Sequence, residues 1–574
     1  MKQQFTKFLM VLVVAMVSSI GALAQTTTTY TVGSSTGADY ATVVAAANAL
    51  SSMTISGPIV FEIEDGTYTG EVDIPGSTSS SATNTITFKG QNGDSSKVIL
   101  RTTSSFGNVL DVDGDYIIFE DLTADISSVG RYAVNLSGDN CIFRNMQLLG
   151  YSGGYRFQYM FYNTGDDNLL TNTNMYGTGY YGVYERGGEG NEYINNVVKK
   201  YYYYPFYLYQ TSQYEVSNNY LDSATNTFNY GIYSYDGEDG VINANKIFNG
   251  YYGIYVNRDQ SGGGDSTVIT NNAVKNSGYA GIYIYASKHV RVYHNVFEGA
   301  TYGFLARSYG YTWSSDYLCE DIRAMNNIFV SKNSYPLYFY IYNGTGGTIE
   351  DSFRVLDYND YYRAGATTPD VYISNRAMAY NAINTNYKSQ GANAVSVDPD
   401  FSDVYDYETV VVGLNNKGYD VGIDKDINGD DRPNSNDTQV DIGANDFYLP
   451  PYDLDIVELT SPMQINLVSN TIAANFQSAG SDTIKNFDAY VEYSVDSGNT
   501  WVKDTFNITS MAPGAVQTFT FTKKWIPVRS GDFRISIRIT TSVSTDPDLV
   551  DRIDVDVCTP LGAGTYVVDT TATA

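Results

Sequence analysis

Short runs of alternating apolar and polar residues fill the middle of the chain, each ended by Gly, Asn, Asp or Ser. They share a motif of an aromatic residue, Gly or Pro, an aliphatic or aromatic residue, and usually Tyr. The steps between the Gly or Pro positions run from 22 to 33 residues, with no helical periodicity between them. Short strands repeating at this length are typical of a solenoid. Copies of the motif begin at Tyr181, Tyr204, Tyr230, Tyr252, Ala280, Tyr302 and Tyr335.

A second motif keeps the same step, because an asparagine opens a short apolar run in each repeat. In a parallel β-helix each coil pairs with the next at about 4.8 Å, so an asparagine at one fixed turn position can stack into a ladder. A leucine-rich repeat would need a leucine pattern that is absent, and propeller blades would be about 40 residues or longer. We therefore predict an all-β fold, a parallel β-helix solenoid. The motif asparagines are Asn196, Asn219, Asn245, Asn272, Asn295 and Asn327, with a looser match at Asn145.

The ends of this region also fit a β-helix. DYATVVAAANAL at 39–50 predicts a short helix that caps the first coil, since an open solenoid needs such a cover. This segment and IVFEIEDGTYTGEV at 59–72 resemble the opening of pectin-methylesterase-type and related right-handed β-helix proteins. AVSVDPDF at 394–401 and the stretch from DINGDDRP to DIGANDF at 426–447 are similar to the closing segment of many secreted bacterial β-helix proteins.

The resemblance spans roughly Thr29 to Tyr448 and implies a right-handed, pectin-lyase-like solenoid in a secreted bacterial protein. It implies no single activity, because such proteins include lyases, hydrolases, esterases and surface proteins. Methylesterase activity is not expected, since the family's catalytic segments of the QA, DFIFG and LGRPW types have no counterpart here.

A second domain follows Pro450 and Pro451, which mark a linker. The run DAYVEYSV at 488–495 alternates as a strand, and turn signals follow it, so we predict an immunoglobulin-like β-sandwich of about 100 residues. The predicted organisation is a signal peptide at 1–24, the β-helix at 25–449, the sandwich at 450–560 and a tail at 561–574. The tail echoes the stretch at 29–40, so a disordered end and the start of a further unit of a longer chain both stay open.

The first residues predict export. Lys2 and Lys7 precede an apolar run from Phe8 to Ile20, and Ala22-Leu23-Ala24 has the small-x-small pattern of a cleavage site before Gln25. A membrane anchor is the alternative, but the run is short and a polar stretch follows it. We predict a protein without a membrane span that is secreted or held at the cell surface.

The charge balance narrows the partners. With 63 acidic and 34 basic residues, the formal charge is -29, which argues against nucleic acid and anionic membranes because both need a positive footprint. It also disfavours polyanionic glycans unless bound cations bridge the repulsion. The 3 cysteines are too sparse for a disulfide framework, and we expect Cys141 and Cys319 to lie in a core.

Charged residues that follow three successive copies of the motif form the richest candidate for catalysis. A polysaccharide lyase needs a base and a group that neutralises the uronate. Charged loops on a solvated surface are the favoured interpretation, and no spacing singles out a glycosidase carboxylate pair. His294 precedes a ladder asparagine, where a turn or outward role is expected. The weak catalytic candidates are Asp236, Glu238, Asp239, Arg258, Lys288 and His289, beside Asp259 and Arg291.

One stretch has the spacing of a calcium loop: Asp424, Asp426, Asn428 and Asp430 alternate around Gly429. The twelfth position is Ser435 rather than glutamate. Because the resembling family has a recurring terminal turn here, a structural role is favoured over calcium, and no cofactor is required.

Tyrosine is the outlier of the composition, with 54 residues against 25 phenylalanines and 3 tryptophans. Alternate side chains of a strand face opposite ways, so in GIYIY at 281–285 the isoleucines point inward and the tyrosines outward. Stacked coils then place such tyrosines in two columns on one face. Either the columns bind sugars or a partner surface, or they stabilise the sheet through cross-strand stacking. The predicted positions are Tyr184, Tyr207, Tyr209, Tyr233, Tyr235, Tyr255, Tyr283, Tyr285, Tyr338 and Tyr340.

Three functions are compatible with these patterns. The leading hypothesis is a secreted or surface-attached repeat protein that acts as an adhesin or glycan-binding scaffold. The first alternative is a polysaccharide lyase or glycoside hydrolase, and the second is a purely structural stalk.

Overall fold

A computed structural model describes residues 26–558 except 153–156, 223–227, 260–265, 309–317, 342–351, 367, 375, 388–389, 404, 463–467, 528–531 and 541–551. The predicted signal peptide at 1–24 and the tail at 561–574 lie outside the described residues. The chain divides into two compact units, Met1–Thr409 with Asn416–Asp446, and Val410–Asn415 with Phe447–Ala574.

The first unit is a right-handed parallel β-helix, as predicted. Each coil adds one strand to each of three long sheets, and every strand pairs with its equivalents in the coils before and after it. Sheet 1 comprises β1 Thr28–Val32, β2 Ile59–Ile63, β5 Ile86–Gly90, β8 Ile117–Glu120, β11 Ile142–Arg144, β14 Leu169–Thr171, β17 Glu192–Ile194, β20 Glu215–Ser217, β23 Val241–Asn243, β26 Thr267–Thr270, β29 Val290–Tyr293, β32 Ile322–Met325 and β35 Phe353–Asp357.

The other two sheets follow in chain order. Sheet 2 comprises β3 Gly66–Thr69, β6 Val98–Arg101, β9 Thr123–Asp125, β12 Gln147–Leu149, β15 Asn174–Tyr176, β18 Val197–Lys199, β21 Tyr220–Asp222, β24 Lys246–Phe248, β27 Ala273–Ser277, β30 Val296–Gly299, β33 Ile328–Ser331 and β36 Asp360–Arg363. Sheet 3 comprises β4 Val72–Ile74, β7 Asn108–Val112, β10 Tyr132–Leu136, β13 Tyr159–Asn163, β16 Tyr181–Arg186, β19 Tyr204–Tyr209, β22 Tyr230–Tyr235, β25 Tyr252–Asn257, β28 Ala280–Tyr285, β31 Tyr302–Ser308, β34 Tyr335–Ile341, β37 Asp370–Ile373 and β38 Arg376–Ala379.

The core consists of equivalent side chains stacked from coil to coil. Phe61, Phe88, Phe119 and Phe143 are fully buried in sheet 1, and consecutive ring centroids lie 4.6, 5.2 and 5.5 Å apart. Cys141 and Cys319 are buried and free, as predicted for small core residues. This interior supplies the burial that holds the short strands together.

The asparagine ladder forms at the turn from sheet 1 to sheet 2. Each turn has one residue in the left-handed region, such as Asn195 at φ 60°, followed by the buried ladder asparagine. The Asn196 backbone N–H donates to Asn219 Oδ1 at 2.8 Å, and that of Asn219 donates to Asn245 Oδ1 at 3.0 Å. All six predicted asparagines belong to this ladder, which Asn359 extends by one coil.

The predicted helical cap is shorter than the sequence pattern. Helix α1 spans Val43–Ala49, a 3-10 turn continues it through Leu50–Ser52, and Thr42 caps α1 by accepting the Ala45 N–H at 3.1 Å. At the far end β38 pairs antiparallel to β37, and a 3-10 turn at Tyr380–Ala382 leads into helix α2 at Ile383–Asn386.

Residues 391–403 and 405–409 then run back along the outer side of sheet 2. The Lys275 ammonium lies 3.5 Å from the ring centroid of Phe401, and the Lys246 ammonium lies 4.6 Å from that of Tyr407. Residues 416–446 lie along the turns from sheet 1 to sheet 2, where Asn326 Nδ2 donates to Tyr419 O at 2.7 Å.

The second unit contains two antiparallel sheets, consistent with a sandwich; its immunoglobulin-like character stays a prediction. Their inner sides share one core, in which Phe476, Val491, Tyr493 and Ile537 are buried. The three-stranded sheet comprises β39 Leu454–Ser461, β40 Ala473–Ser478 and β43 Val516–Thr520. The four-stranded sheet comprises β42 Val502–Met511, β41 Ile484–Ser494, β44 Asp532–Ile539 and β45 Arg552–Cys558.

Candidate functional site: the tyrosine face of sheet 3

The outer side of sheet 3 carries three columns of equivalent side chains, which we call the tyrosine face. The parallel register places them on consecutive coils. The first column is Tyr132, Tyr159, Tyr181, Tyr204, Tyr230, Tyr252, Ala280, Tyr302 and Tyr335. The second is Tyr162, Tyr184, Tyr207, Tyr233, Tyr255, Tyr283, Leu305, Tyr338 and Tyr372. The third is Arg186, Tyr209, Tyr235, Asn257, Tyr285, Arg307 and Tyr340.

The strands alternate as the sequence pattern requires over most of their length. In β28, Ile282 and Ile284 are fully buried in the solenoid, whereas Tyr283 and Tyr285 lie on the outer side. The ten tyrosines predicted to face outward all belong to the second or third column. Whether they bind a ligand is not decided by this placement.

The first column was missed because alternation fails at the Gly or Pro of the motif. In β16 both Gly182 and Val183 are buried, so Tyr181 lies on the same side as Tyr184 rather than in the core. Gly182 has no pairing partner in the register of β16 with β19, and a Cβ there would collide with the Pro205 carbonyl. The recurring aromatic residue before the Gly or Pro was the sequence signal for this column.

The rings stack face to face, and this changes what the face offers. In the second column Tyr233 and Tyr255 have centroids 4.7 Å apart, and Tyr255 and Tyr283 have centroids 4.4 Å apart, with interplanar angles of 13° and 9°. Tyr283 is only 7 % exposed. The ring faces are therefore covered by neighbouring rings, and a ligand would meet ring edges and hydroxyl groups instead of flat faces.

Burial keeps these hydroxyl groups protonated. It raises the pKa of Tyr159 to about 12, with the neighbouring Tyr132 adding to the shift, and it raises the pKa of Tyr302 to about 12 together with Tyr279. Burial also raises the pKa of Tyr255 and Tyr233. Neutral phenols both donate and accept hydrogen bonds.

The charge of the face differs from that of the chain. Among the described residues, the outward positions of the three columns from β10 to β34 contain no aspartate or glutamate, although the whole chain carries -29. Arg186 and Arg307 stand in the third column, and the Arg307 guanidinium lies 5.6 Å from the Tyr340 ring centroid. The face is therefore neutral to weakly positive.

An apolar rim borders the first column on the turns from sheet 2 to sheet 3. Phe157 is 42 % exposed and Phe228 is 60 % exposed. Phe228 packs on Tyr251 with centroids 5.0 Å apart, and Tyr251 stacks on Tyr279 at 5.4 Å. Exposed aromatic residues grouped in this way mark interaction surfaces more often than scattered ones do.

The weak catalytic candidates lie on the turns from sheet 3 to sheet 1, in two separate groups. In the first, Arg258 Nε pairs with Asp236 Oδ1 at 3.0 Å, and Arg258 Nη1 donates to Tyr235 Oη at 2.9 Å. Glu238 and Asp239 follow Asp236 on the same turn, and Glu238 pairs through its backbone with Ser212.

The second group centres on Asp321, which sequence reasoning missed. His289 Nδ1 lies 3.0 Å and Arg291 Nη2 2.7 Å from Asp321 Oδ2, and Arg323 Nε lies 3.4 Å from Asp321 Oδ1. Burial opposes ionisation, but the hydrogen bonds from His289 and Arg291 and the two guanidinium charges outweigh it and lower the Asp321 pKa. Lys288 pairs with Glu320 at 3.3 Å. The same coil step that aligns Arg291 with Arg323 could have revealed this group.

A histidine oriented by a carboxylate beside two arginines has the parts of a general base with charge stabilisation. His294 is not part of this group. It lies in a turn, as expected, but buried beneath residues 416–446, with Nε2 2.9 Å from Asn326 Nδ2.

The calcium-like loop forms a hydrogen-bonded turn. Asp426 Oδ1 accepts the backbone N–H groups of Asn428 and Asp430 at 2.8 and 3.0 Å, and its Oδ2 accepts that of Asp446 at 3.1 Å. The Asp426 carboxylate therefore holds the turn that the family resemblance implies, and calcium binding by this loop stays a prediction.

Comparison with known proteins supports the fold. Residues 112–336 match the model of a family described as periplasmic copper-binding protein (NosD). Sequence comparison with curated proteins gave no significant match. Among the described residues, no helix has the length and apolar character needed to cross a membrane.

Three solved structures show how general the structural likeness is. A structure of XylC with xylose has 9 % identity and a TM-score of 0.41, covering 86 % of this chain and all 100 % of XylC. The A-module of the Azotobacter vinelandii mannuronan C-5 epimerase AlgE6 has 13 % identity and a TM-score of 0.35, and the match covers 62 % of this chain and 96 % of the module. The tailspike gp49 of Acinetobacter baumannii bacteriophage Fri1, a capsular polysaccharide depolymerase, has 9 % identity and a TM-score of 0.30, and the match covers 94 % of this chain and 87 % of the tailspike chain. Likenesses this distant carry no functional argument.

The described residues do not fit copper. Protein copper sites use His, Cys and Met ligands, but no three His, Cys, Asp or Glu side chains in the described part of the chain are grouped to hold a metal ion. His289 Nδ1 faces Asp321, His294 is buried against Asn326, and Cys141 is buried in the core. No step of any proposed function is therefore assigned to copper.

Proposed function

We propose that this protein is an exported glycan-binding scaffold, an adhesin in the broad sense, that holds a polysaccharide along its tyrosine face. The observation that carries the proposal is a largely aromatic surface, interrupted at Ala280 and Leu305, whose described outward positions from β10 to β34 contain no carboxylate in a chain of net charge -29. Such a surface is more than sheet stability requires, because contiguous exposed aromatic patches mark interaction sites.

The columns suggest a linear ligand. Equivalent side chains recur on every coil at the spacing of paired strands, about 4.8 Å, so one contact pattern repeats along the solenoid. A polymer with repeating units can engage several such positions at once, and linked contacts raise avidity without any strong single contact. Phenol hydroxyl groups can exchange hydrogen bonds with sugar hydroxyl groups, and the electropositive ring edges suit sugar oxygen atoms.

The charge of the face favours neutral sugars or sugars with isolated anionic groups. Arg186 and Arg307 can pair with a carboxylate or sulfate, while the strongly negative remainder of the chain repels a dense polyanion. We therefore expect the tyrosine face to bind neutral or sparsely charged polysaccharides in preference to polyuronates.

A hydroxyl-deletion variant tests the face. Tyr209→Phe, Tyr235→Phe and Tyr285→Phe together keep the rings but remove three hydroxyl groups, each worth about 0.5–1.5 kcal/mol as a hydrogen-bonding partner. We expect glycan-array binding of the full chain to weaken about tenfold or more. The matched control makes the same change at Tyr448, Tyr452 and Tyr490, exposed tyrosines of the second unit, and should leave binding unchanged. Equal affinity of both triple variants and the unmodified protein would contradict the proposal.

The second candidate function is a polysaccharide lyase or glycoside hydrolase. The arrangement of His289, Asp321 and Arg291 favours it. Turnover of a polysaccharide in a reducing-end or unsaturated-uronate assay, abolished by His289→Gln and by Asp236→Asn, would establish catalysis. Absence of both turnover and glycan binding would leave a structural stalk as the function.

Export belongs to the same proposal. The basic start, the apolar run and the Ala22-Leu23-Ala24 pattern support cleavage before Gln25. N-terminal sequencing of the protein recovered outside the cytoplasm should begin at Gln25, and an uncleaved N-terminus there would contradict the predicted signal peptide.

A further inference from the structure

Ten tyrosine rings in the middle of the face form one continuous double stack. In the first column the centroids of Tyr159, Tyr181, Tyr204, Tyr230 and Tyr252 are 4.9, 5.4, 4.9 and 5.1 Å apart in succession. In the second column those of Tyr184, Tyr207, Tyr233, Tyr255 and Tyr283 are 5.1, 5.1, 4.7 and 4.4 Å apart.

The two columns also touch each other within four strands, β16, β19, β22 and β25. The centroids of Tyr181 and Tyr184 are 4.8 Å apart, those of Tyr204 and Tyr207 are 5.2 Å apart, and those of Tyr230 and Tyr233 are 5.2 Å apart. Tyr252 and Tyr255 complete the contact at 5.6 Å. Every ring of the double stack is thus in contact with at least two other phenols.

We propose that this double stack is a site of oxidative modification, at which phenols on consecutive coils are joined as dityrosine. The co-reactant is a one-electron oxidant of the peroxidase class, a haem peroxidase using hydrogen peroxide. Each of two tyrosines loses one electron and one proton, and the two phenoxyl radicals form a carbon–carbon bond between ring positions ortho to the hydroxyl groups. The two electrons and two protons reduce one hydrogen peroxide to two waters.

Geometry favours the stack for both stages of this reaction. A phenoxyl radical formed on one ring can take an electron and a proton from the next phenol it touches, so the radical is not confined to the ring that met the oxidant. Two radicals in the same stack then meet without diffusion of the protein. The half-exposed third-column rings provide entry, since Tyr209 and Tyr235 stack at 5.6 Å and Tyr209 lies 6.2 Å from Tyr207.

The product would fasten neighbouring coils to each other. Tyr255 lies in β25 and Tyr283 in β28, so a bond between them closes a loop through one whole coil. Closing such a loop removes conformational freedom from the unfolded chain more than from the folded one. The modified protein should therefore unfold at a higher temperature than the unmodified one, independently of any glycan binding.

The test treats the full chain with a haem peroxidase and limiting hydrogen peroxide, followed by dityrosine fluorescence, denaturing gel electrophoresis and mass spectrometry of cross-linked peptides. We expect most cross-links in the monomer band to join peptides of consecutive coils within the double stack. This outcome is opposite to that expected from accessibility, since Tyr283 is 7 % exposed whereas Tyr419 and Tyr490 are 54 % and 53 % exposed.

Variants sharpen the result. Tyr255→Phe with Tyr283→Phe keeps both rings in the stack but removes two phenols, and we expect the cross-linked peptides that contain these positions to disappear and the total monomer dityrosine to fall by about a quarter, since three of the twelve ring contacts named above are lost. The control, Tyr448→Phe with Tyr452→Phe, removes two phenols that are more exposed than those of the stack. It should leave the yield of monomer dityrosine within about a tenth of that of the unmodified protein. Thermal unfolding by circular dichroism confirms that each variant is folded. The proposal would be overturned if the cross-links of the unmodified protein formed mainly between its most exposed tyrosines, or only between different molecules.

Discussion

Two stacks of identical side chains run along the same solenoid, asparagines inside it and tyrosines outside it. In the inner stack every amide is committed: Asn245 Oδ1 accepts the Asn219 backbone N–H at 3.0 Å, and Asn245 Nδ2 donates to Val216 O at 2.7 Å. In the outer stack the rings are committed to each other, and a hydroxyl group such as that of Tyr233 accepts a hydrogen bond from Asn257 Nδ2 at 2.8 Å. The inner stack thus serves the fold, whereas the outer stack carries the hydroxyl groups on which the proposed glycan binding depends.

The largest effect should come from breaking the inner stack. Asn245→Ala leaves the Asn219 N–H and the Val216 carbonyl buried without their side-chain partner, and each unsatisfied group costs about 1–3 kcal/mol. We expect a loss of about 4 kcal/mol in the free energy of unfolding, measured by urea titration. Asn135→Ala is the matched control, because Asn135 Nδ2 donates to Asp111 Oδ1 at 2.6 Å from a half-buried strand position and its loss should cost about 1 kcal/mol. Equal costs would remove the distinction between the buried ladder and surface amides.

The sequence predicted the inner stack well because its signal is periodic. Six asparagines at one turn position revealed both the coil length and the ladder. Asn359 was not predicted because its coil departs from the tyrosine motif. The Asn327 backbone N–H nevertheless donates to Asn359 Oδ1, as in the other coils of the ladder.

The outer stack was predicted only in part. The rule of alternation identified the second and third columns but not the first, since the rule fails at Gly182. The grouping of His289 with Asp321 required the register between coils. The position of residues 416–446 over His294 could not be predicted, because it depends on tertiary contacts such as that of Tyr419 with Asn326 rather than on a local pattern.

Glu185 is a buried carboxylate inside the solenoid, at the position that apolar Leu208 occupies in the next coil. It tests the rule that buried polar groups have hydrogen-bond partners. Asn191 Nδ2 donates to its Oε1 at 2.8 Å, and burial raises the pKa of Glu185 to about 8. The folded-state pKa is raised above the unfolded value, so the native state keeps a proton that the unfolded state releases. Stability should therefore fall as the pH rises from about 4.5 to 8, by about 1.4 kcal/mol for each pH unit.

Glu185→Gln removes this dependence while keeping the shape of the side chain. Between pH 5 and pH 7.5 we expect the unmodified protein to lose about 3 kcal/mol more unfolding free energy than the variant. Urea titrations at the two pH values measure the difference. Parallel pH profiles of the two proteins would show that Glu185 is ionised in the folded protein.

A smaller effect should come from the outer stack. Tyr255→Ala removes a ring that stacks on both Tyr233 and Tyr283, and aromatic pairs contribute about 0.5–1.5 kcal/mol each. We expect a loss of about 2 kcal/mol in the free energy of unfolding. Tyr255→Phe keeps the ring and both stacking contacts and should cost less than about 0.5 kcal/mol. A large cost for Tyr255→Phe would mean that the hydroxyl groups belong to the fold after all.

The smallest effect concerns the turn that precedes the inner stack. His294 is buried between Asn326 and residues 416–446, and burial together with the nearby Arg432 charge holds its pKa well below the usual value. The unfolded state therefore takes up a proton below about pH 6.5 that the folded state excludes, so stability is lost as the pH falls through that value. Asparagine is the residue that other coils carry at this position, as at Asn271 and Asn326, both with positive φ.

His294→Asn should therefore fit the left-handed turn and abolish the acid sensitivity. We expect the unmodified protein to lose about 1 kcal/mol more than the variant between pH 7 and pH 5.5, measured by urea titration. Carboxylates titrate equally in both proteins, so the difference isolates the histidine. If both proteins lose the same stability on acidification, His294 takes up its proton equally in the folded and unfolded states, and its burial beneath residues 416–446 does not exclude the charge.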